Sequence, residues 1–518
     1  MILITSAAYA CPGLVSEFGK LPPCMLPVQN RRLYEHQLRL FASWQTGALV
    51  LSLPEDYMLP PFDVQYLSKS GVHLVYVPRH LSLGQSIVYV LNVCGCYNEP
   101  LYLLHGDTLF GHLSERPDTY AVAKVEDDYN WAYPADEHHG EIYAGFFAFS
   151  DPSLLIRKII ECRDDFIAGV RAYDAVRPLH RQFLPDWQDF GLVNSYYRSI
   201  SRLTTQRVFN DLKIMNNSIR KSSADSDKIL AEAAWITSVP KSVRHYVPTL
   251  WDSGQEGDLA FYEIEYYYLS SLAHLFVFGK NPEFVWRQIL GACAEYLKTE
   301  YGEKAPEPAS VCNDSRALYG EKTAARLDEY CRKAGVDPHC AWKINGEDVP
   351  SLDVILTETD MMIPKQDVRF ATVMHGDFCF SNILYDFKSM SIRVIDPRGL
   401  SAQRERTIYG DFRYDVGKLG HSILGMYDFI IAGRYDYTEN QPYDVRLSFH
   451  TDSLLQSVQA HFRSSRFAGF DIWQLCVYPI MIQLFLSMLP LHHDHPERQK
   501  VMLANALRLY SELKHTIL

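Results

Sequence analysis

The stretch 373–399, VMHGDFCFSNILYDFKSMSIRVIDPRG, carries more chemical information than any other part of this chain. A buried strand leads into His375-Gly376-Asp377. Asn382 follows five positions later, and an apolar hairpin then ends at Asp396, fourteen residues beyond Asn382. That spacing suits phosphoryl transfer. Asp377 can accept the proton of an attacking hydroxyl, while Asn382 and Asp396 can offer oxygens to Mg²⁺ bridging the phosphates of ATP. The oxygens must converge from a loop and the hairpin beside it, which this order of residues provides.

Working outward, Lys221 ends a candidate strand in SIRKSS, and Glu232 lies in the next helical stretch, DKILAEAAWITSV. The run 262–272, YEIEYYYLSSL, follows, and GDFRYDVGKLGHSI covers 410–423. Together these segments resemble the aminoglycoside phosphotransferase and choline kinase family, relatives of the protein kinases. The resemblance implies a bilobal α+β domain over 206–518, with an N-lobe at about 206–272 and a helical C-lobe at about 273–518. It implies that Lys221 holds ATP phosphates with Glu232 as its partner, that 262–272 passes the adenine, and that Asp415 is a buried support of the catalytic loop. No Gly-rich loop precedes Lys221; Asn216-Asn217 stands at that turn. Residues 280–370 fall where such kinases place substrate-binding helices.

The first half alternates short apolar runs with helical patterns. ALVLSLP, VHLVYVP, PLYLLHGD, TYAVAKVED and EIYAGFFAFS read as strands, and RLYEHQLRLFASW and SLGQSIVYVLNV as helices. Such alternation predicts an α/β unit, a mixed sheet flanked by helices. The strand 101–105 stops at Gly106-Asp107, and a carboxylate at a strand end is placed where open α/β sheets bind nucleotides. Asp189, followed closely by Gly191, is a second carboxylate that can share Mg²⁺ with Asp107. Segments 18–38, 82–91 and 141–150, with WQDFG, resemble the sugar-phosphate nucleotidyltransferases of glycosyltransferase-A-like fold over about 1–205. The resemblance implies Gln85 near the base and a cation from the opening loop, for which Lys20 and Arg32 are candidates. The family's GxGxR loop is absent, and Pro23 occupies the position of its signature Lys.

The chain has 518 residues, enough for two or three domains, and its 47% hydrophobic and 22% charged content is that of a globular protein. Fifty basic against 62 acidic residues, net −12, argue against a broad nucleic-acid footprint. Acidity does not oppose nucleotide binding when carboxylates recruit Mg²⁺ and a few cations are concentrated locally. Eleven scattered cysteines, with only Cys94 and Cys96 close together, suit a reducing cytoplasm. The apolar run 473–490 is broken by Gln474, Pro479, Gln483 and Ser487, so a buried helix is expected rather than membrane insertion. His492-His493-Asp494-His495 and Asp136-Glu137-His138-His139 read as solvated turns. Arg398, Arg404 and Arg406 could hold an anionic substrate or form salt bridges.

The two halves together give an expectation: a kinase that phosphorylates a small-molecule alcohol, sugar or amide, and a nucleotidyltransferase that joins the product to a nucleotide. The setting would be bacterial surface-polysaccharide synthesis. CTP is favoured by analogy with the choline pathway, and a homo-oligomer is possible. Two other expectations stand beside it: a kinase with an inactive N-terminal module, and a pseudoenzyme scaffold.

Overall fold

The computed structural model describes residues 1–44, 47–125, 129, 131–134, 140–203, 211–215 and 217–517. The expected join at 205–210, Asn216 and the 136–139 turn lie outside the described residues. Two compact units form, Met1–Leu203 with Phe278–Lys280, and Thr204–Val277 with Asn281–Leu518.

Unit 1 is built on strands β1 (Ile2–Thr5), β2 (Leu49–Pro54), β3 (Val72–Val77), β4 (Leu101–His105), β5 (Thr108–Leu109), β6 (Thr119–Lys124), β7 (Glu141–Phe149), β8 (His180–Phe183) and β9 (Gln188–Asp189). Seven of them make one mixed sheet in the order β8-β6-β7-β4-β1-β2-β3. The centre, β4-β1-β2, is parallel, with Leu3 between Val50 and Leu103. These strands are almost wholly buried because both faces are covered, which is why they read as continuous apolar runs. The edge strand β3 instead alternates, exposing His73 and Tyr76. Helices α1 (Leu83–Cys94), α2 (Pro152–Glu161) and α3 (Phe166–Asp174) bury Ile87, Leu91, Leu155, Ile159 and Val170 in one cluster with Leu3, Leu103 and Phe147. Side chains of this size contribute about 1.5–3 kcal/mol each when fully buried. Helix α4 (Val193–Arg202) ends the first run of the unit.

Unit 2 begins with β10 (Asp211–Met215), β11 (Ser218–Ser223), helix α5 (Ser226–Ser238), β12 (Leu250–Glu256) and β13 (Leu259–Glu265). The strands form an antiparallel sheet, β10-β11-β13-β12, with α5 against it. Asp225 starts α5 by accepting a hydrogen bond from the Lys228 amide, a standard N-cap. A helical part follows, with α6 (Glu283–Gly302), α7 (Pro308–Arg316) and α8 (Lys322–Ala334). Three short strands come next, β14 (Ala371–Val373), β15 (Ile383–Asp386) and β16 (Ser391–Val394). Helices α9 (Phe412–Ile423), α10 (Val477–Met488) and α11 (Pro496–Ile517) complete it.

Every residue from Val477 to Leu486 is buried, since α9 and α11 both pack on α10. Among the described residues no helix is long and apolar enough to cross a membrane. The segment after α9 departs from the expected run of helices. Asp436–Gln441 and Asp444–Ser448 form a hairpin, and its second strand pairs in parallel with Trp342–Ile344. Its residues are largely polar, and the hairpin is held by that pairing and by burial of Val445 and Leu447.

Candidate functional site

In unit 2 the hairpin β15-β16 and the loop before it converge on β11. Lys221 lies on β11, directly across from Tyr262 on β13, and its side chain is only 6% exposed. Its Nζ sits 2.6 Å from Glu232 Oε2 on α5 and 3.2 Å from Asp396 Oδ1 after β16. The Tyr262 hydroxyl lies 3.0 Å from the same Glu232 oxygen and 3.3 Å from the same Asp396 oxygen, and can donate to either. Burial alone would depress the Lys221 ammonium, but Asp396 and Glu232 outweigh it and raise its pKa. A buried charge flanked in this way stays ionised, with its position fixed before any ligand arrives. Asp396 takes φ +57°, a left-handed conformation that Asp tolerates better than most residues and that turns its carboxylate toward Lys221.

The loop from His375 to Asn382 presents the second group. Gly376 has φ +79°, and a Cβ there would fall 2.6 Å from the Arg398 Cβ, so the turn needs glycine. Asp415, buried on α9, accepts hydrogen bonds from the His375 and Gly376 amides at 2.6 and 2.8 Å. Burial pushes the Asp415 carboxyl up to about 7. The indole of Trp235 on α5 donates to Met374 O at 2.9 Å, tying that helix to the start of the loop. Asp377 is held from two sides: Lys418 Nζ is 2.9 Å from its Oδ1, and Asn382 Nδ2 donates to its Oδ2 at 2.9 Å. Burial would raise the Asp377 carboxyl, but Lys418 above all brings it down to about 2. Its side chain is still 40% exposed, so an incoming hydroxyl can reach it.

Asn382 and Asp396 offer an amide oxygen and a carboxylate beside this loop. Mg²⁺ keeps several waters and takes one or two protein oxygens plus substrate phosphates, so a donor set this small fits it. Among the described residues no group of three or more His, Cys, Asp or Glu side chains gathers as a self-sufficient metal cage.

In unit 1, β5 and β9 pair antiparallel, with Asp189 opposite Thr108, and this brings Asp107 and Asp189 together. A Cβ on Gly191 would lie 2.8 Å from Asp107 Oδ2 and 3.3 Å from Asp189 Oδ1, so the two carboxylates flank one point. Ser195 donates to Asp189 Oδ2, and the Gly191 amide to Asp189 Oδ1 at 3.2 Å. A cavity of about 260 Å³ opens beside Asp189, lined among others by Lys124, Trp131, Trp187, Arg198 and Arg202.

The other three residues singled out in unit 1 are placed elsewhere. Arg32 is 3% exposed, donating to Met25 O and Phe278 O at 2.7 Å each, with Asp63 at 3.6 Å. Its charge is neutralised within the core. Lys20 is half exposed, paired with Asp56 at 3.0 Å and lying over the Tyr9 ring. Gln85 closes a capping box at the start of α1: its Oε1 accepts from the Ser82 amide, and its Nε2 donates to Asp164. All three side chains therefore have protein partners.

Sequence reasoning missed Tyr262, Lys418, Lys124, Arg198 and Arg202. Lys418 was within sight, one helical turn after Asp415. Arg198 and Arg202 share an i, i+4 face of α4. Tyr262 could be found only from the strand register. The Cys94–Cys96 pair forms no bond, and every cysteine is a free thiol.

No family model matches the chain, and no curated protein matches it. Among solved structures, a thermostable mutant of aminoglycoside phosphotransferase APH(4)-Ia is similar at 12% identity and a TM-score of 0.35, over 60% of this chain and 92% of its own. A further variant of that mutant, in ternary complex with ADP and hygromycin B, is similar at 11% identity and a TM-score of 0.35, over the same shares. Aminoglycoside-3'-phosphotransferase of type VIII is similar at 13% identity and a TM-score of 0.31, over 54% of this chain and 96% of its own. At such distances the chemistry is decided by the side chains and not by the likeness.

Proposed function

We propose that unit 2 phosphorylates a small-molecule acceptor with ATP. The observation that carries this reading is the buried Lys221–Glu232–Asp396 group beside the exposed Asp377 and its partner Asn382. Lys221 meets the ATP phosphates, and Glu232 keeps its ammonium in place. Asp377 accepts the proton of the acceptor's hydroxyl or amide and aims its lone pair at the γ-phosphorus. Mg²⁺, held by Asn382 and Asp396, would neutralise charge building on the phosphate oxygens. Because the transition state is loose, positioning and charge stabilisation outweigh base strength, so a carboxylate as acidic as Asp377 suffices.

Unit 1 is read as the partner activity, coupling the phosphorylated product to a nucleoside triphosphate, with CTP favoured, and releasing pyrophosphate. The Asp107–Asp189 pair would hold the metal, and the cavity with Lys124, Arg198 and Arg202 suits a phosphorylated substrate. The product would be an activated donor for surface polysaccharide. One observation favours a second reading, in which unit 1 only binds: Lys20, Arg32 and Gln85 are engaged with protein partners. Incubation with ATP, CTP, Mg²⁺ and a panel of alcohols, sugars and amides tests both. ADP and pyrophosphate both rising supports the bifunctional enzyme, ADP alone supports the second reading, and neither rising refutes both.

A further inference from the structure

Unit 2 gathers cations that the proposed nucleotide chemistry does not use, and Lys418, which meets Asp377, acts on one of them. Lys322 and Arg326 lie one turn apart on the same face of α8, directly after a π-helical segment, Ala317–Glu321. Such π segments are frequent at functional sites. Arg326 Nη1 donates to Ser487 O and Oγ at 3.2 Å each, which fixes its direction. Arg398 is anchored to the His375–Asn382 loop by its own amide, which donates to His375 O at 2.8 Å. Its guanidinium lies 5.5 Å from the centre of the Tyr414 ring, and its buried Nη1 has no hydrogen-bond partner among the described residues. Tyr414 is one helical turn before Lys418, the partner of Asp377.

Arg398, Arg326 and Lys418 all act on Lys322, each adding to burial in lowering its ammonium, to about 7. Two carboxylates act on this group: Glu329 on Arg326, and Asp314 on Lys322, Asp314 being one whose acidity burial weakens and whose oxygen accepts from the Ala402 amide. The Tyr319 ring of the π-helical segment lies 6.0 Å from the Tyr414 ring, which brings α8 to the side of α9 where Arg398 stacks. The crowding of like charges is relieved in part when Lys322 gives up its proton, and an anion among Lys322, Arg326 and Arg398 would relieve it with all of them charged. Lys221 and the metal ligands stand ready for the triphosphate. Lys322 and Arg326 come instead from the helical segment between the N-terminal sheet and the His375–Asn382 loop.

We propose that the acceptor carries an anionic group, a carboxylate or a phosphate, bound by Lys322, Arg326 and Arg398 so that its hydroxyl or amide faces Asp377. The inference rests on the phosphotransferase reading and names the substrate class for that site. In the transfer step the acceptor oxygen or nitrogen forms a bond to the γ-phosphorus and the bond from that phosphorus to the β,γ-bridging oxygen breaks. ADP leaves with the electron pair, and the acceptor's proton passes to Asp377 and then to solvent.

The test uses the full chain saturated with Mg-ADP and titrated calorimetrically with malonate, inorganic phosphate and neutral malonamide. The expected result is binding of malonate or phosphate but not malonamide; the preference between the two anions identifies the acceptor's charged group. Affinity should fall about tenfold or more in Lys322→Gln and Arg326→Gln and return in Lys322→Arg. Equal binding of malonamide, no anion binding by the wild type, or anion binding that survives both Gln variants would overturn the proposal. Mg-ATP titrated into the free chain separates the two failures. Tight Mg-ATP binding without anion binding refutes only the acceptor class, whereas absence of Mg-ATP binding refutes the phosphotransferase reading and the inference with it. Thermal melts of each variant show that it is folded when titrated.

Discussion

Each unit brings two acidic groups to the end of a strand, yet the cations around them are arranged in opposite ways. In unit 2, Lys221 is buried and aimed at Asp396, with Glu232 and Tyr262 fixing it from behind. In unit 1, Asp107 and Asp189 flank one point, while Arg32 is neutralised inside the core and Lys20 is paired with Asp56 at the surface. The cations lining the unit 1 cavity are Lys124 and, along α4, Arg198 and Arg202. The difference teaches that similar carboxylate pairs can sit in opposite charge settings, so the placement of the cations, more than the carboxylates, separates the two sites. On the proposed reading, unit 2 is organised around a triphosphate before it binds, and unit 1 around whatever enters its cavity.

Removing the group that touches the acceptor should give the largest effect. Asp377→Asn is expected to lower kcat for ADP formation by about 10²–10⁴-fold with Mg-ATP affinity unchanged, measured by steady-state kinetics and calorimetry. Lys221→Met comes next. It takes the Lys221 ammonium away from Glu232 and Asp396, with Lys228 remaining 3.9 Å from Glu232, so denaturant melts should show a loss of about 3–5 kcal/mol, alongside weaker ATP binding.

The comparison itself is broken or sharpened by Asp107→Asn and Asp189→Asn. Losing a metal carboxylate removes several kcal/mol of charge stabilisation, so pyrophosphate release should fall by about 10²-fold while ADP formation stays intact. If both activities fell together, the two units would not be separate sites.

Smaller effects concern pH. Asp377 must be ionised to accept a proton, so activity is lost as pH falls through its pKa. Lys418 holds that value near 2, and Lys418→Met should move the acid limb of kcat upward by roughly one unit or more. Asp415 works in the opposite direction. Its folded pKa, near 7, lies above the ordinary 3.8, so the folded state holds a proton that the unfolded chain releases between those values. Stability from this group is fully present below about 4 and lost as pH rises toward 7. Asp415→Asn should flatten that dependence in thermal melts taken across the range.

Much of this was legible in the sequence where chemistry and local pattern coincide. The β4-β1-β2 strands read plainly because burial on both faces leaves continuous apolar runs. The spacing from His375 to Asp396 was equally plain, since a tight loop and a hairpin keep those residues close in sequence. Contacts made across elements were not legible. Tyr262 meets Lys221 through strand register, and Lys418 meets Asp377 from a helix further along the chain. By sequence Arg32 is a candidate cation for the opening loop, whereas Asp63 and two carbonyls draw it into the core. The 436–448 hairpin was hidden by its polar residues, which gain strand character from pairing with Trp342–Ile344.

The central claim is that Asp377 directs transfer of the ATP γ-phosphate to a small acceptor. It is tested most directly by incubating the full chain with Mg²⁺, γ-labelled ATP and a pool of carboxylate- and phosphate-bearing alcohols and amides. The account predicts label in a low-mass product, and none when Asp377→Asn replaces the wild type. Label released only as inorganic phosphate, or transferred equally well by the Asp377→Asn variant, would contradict it.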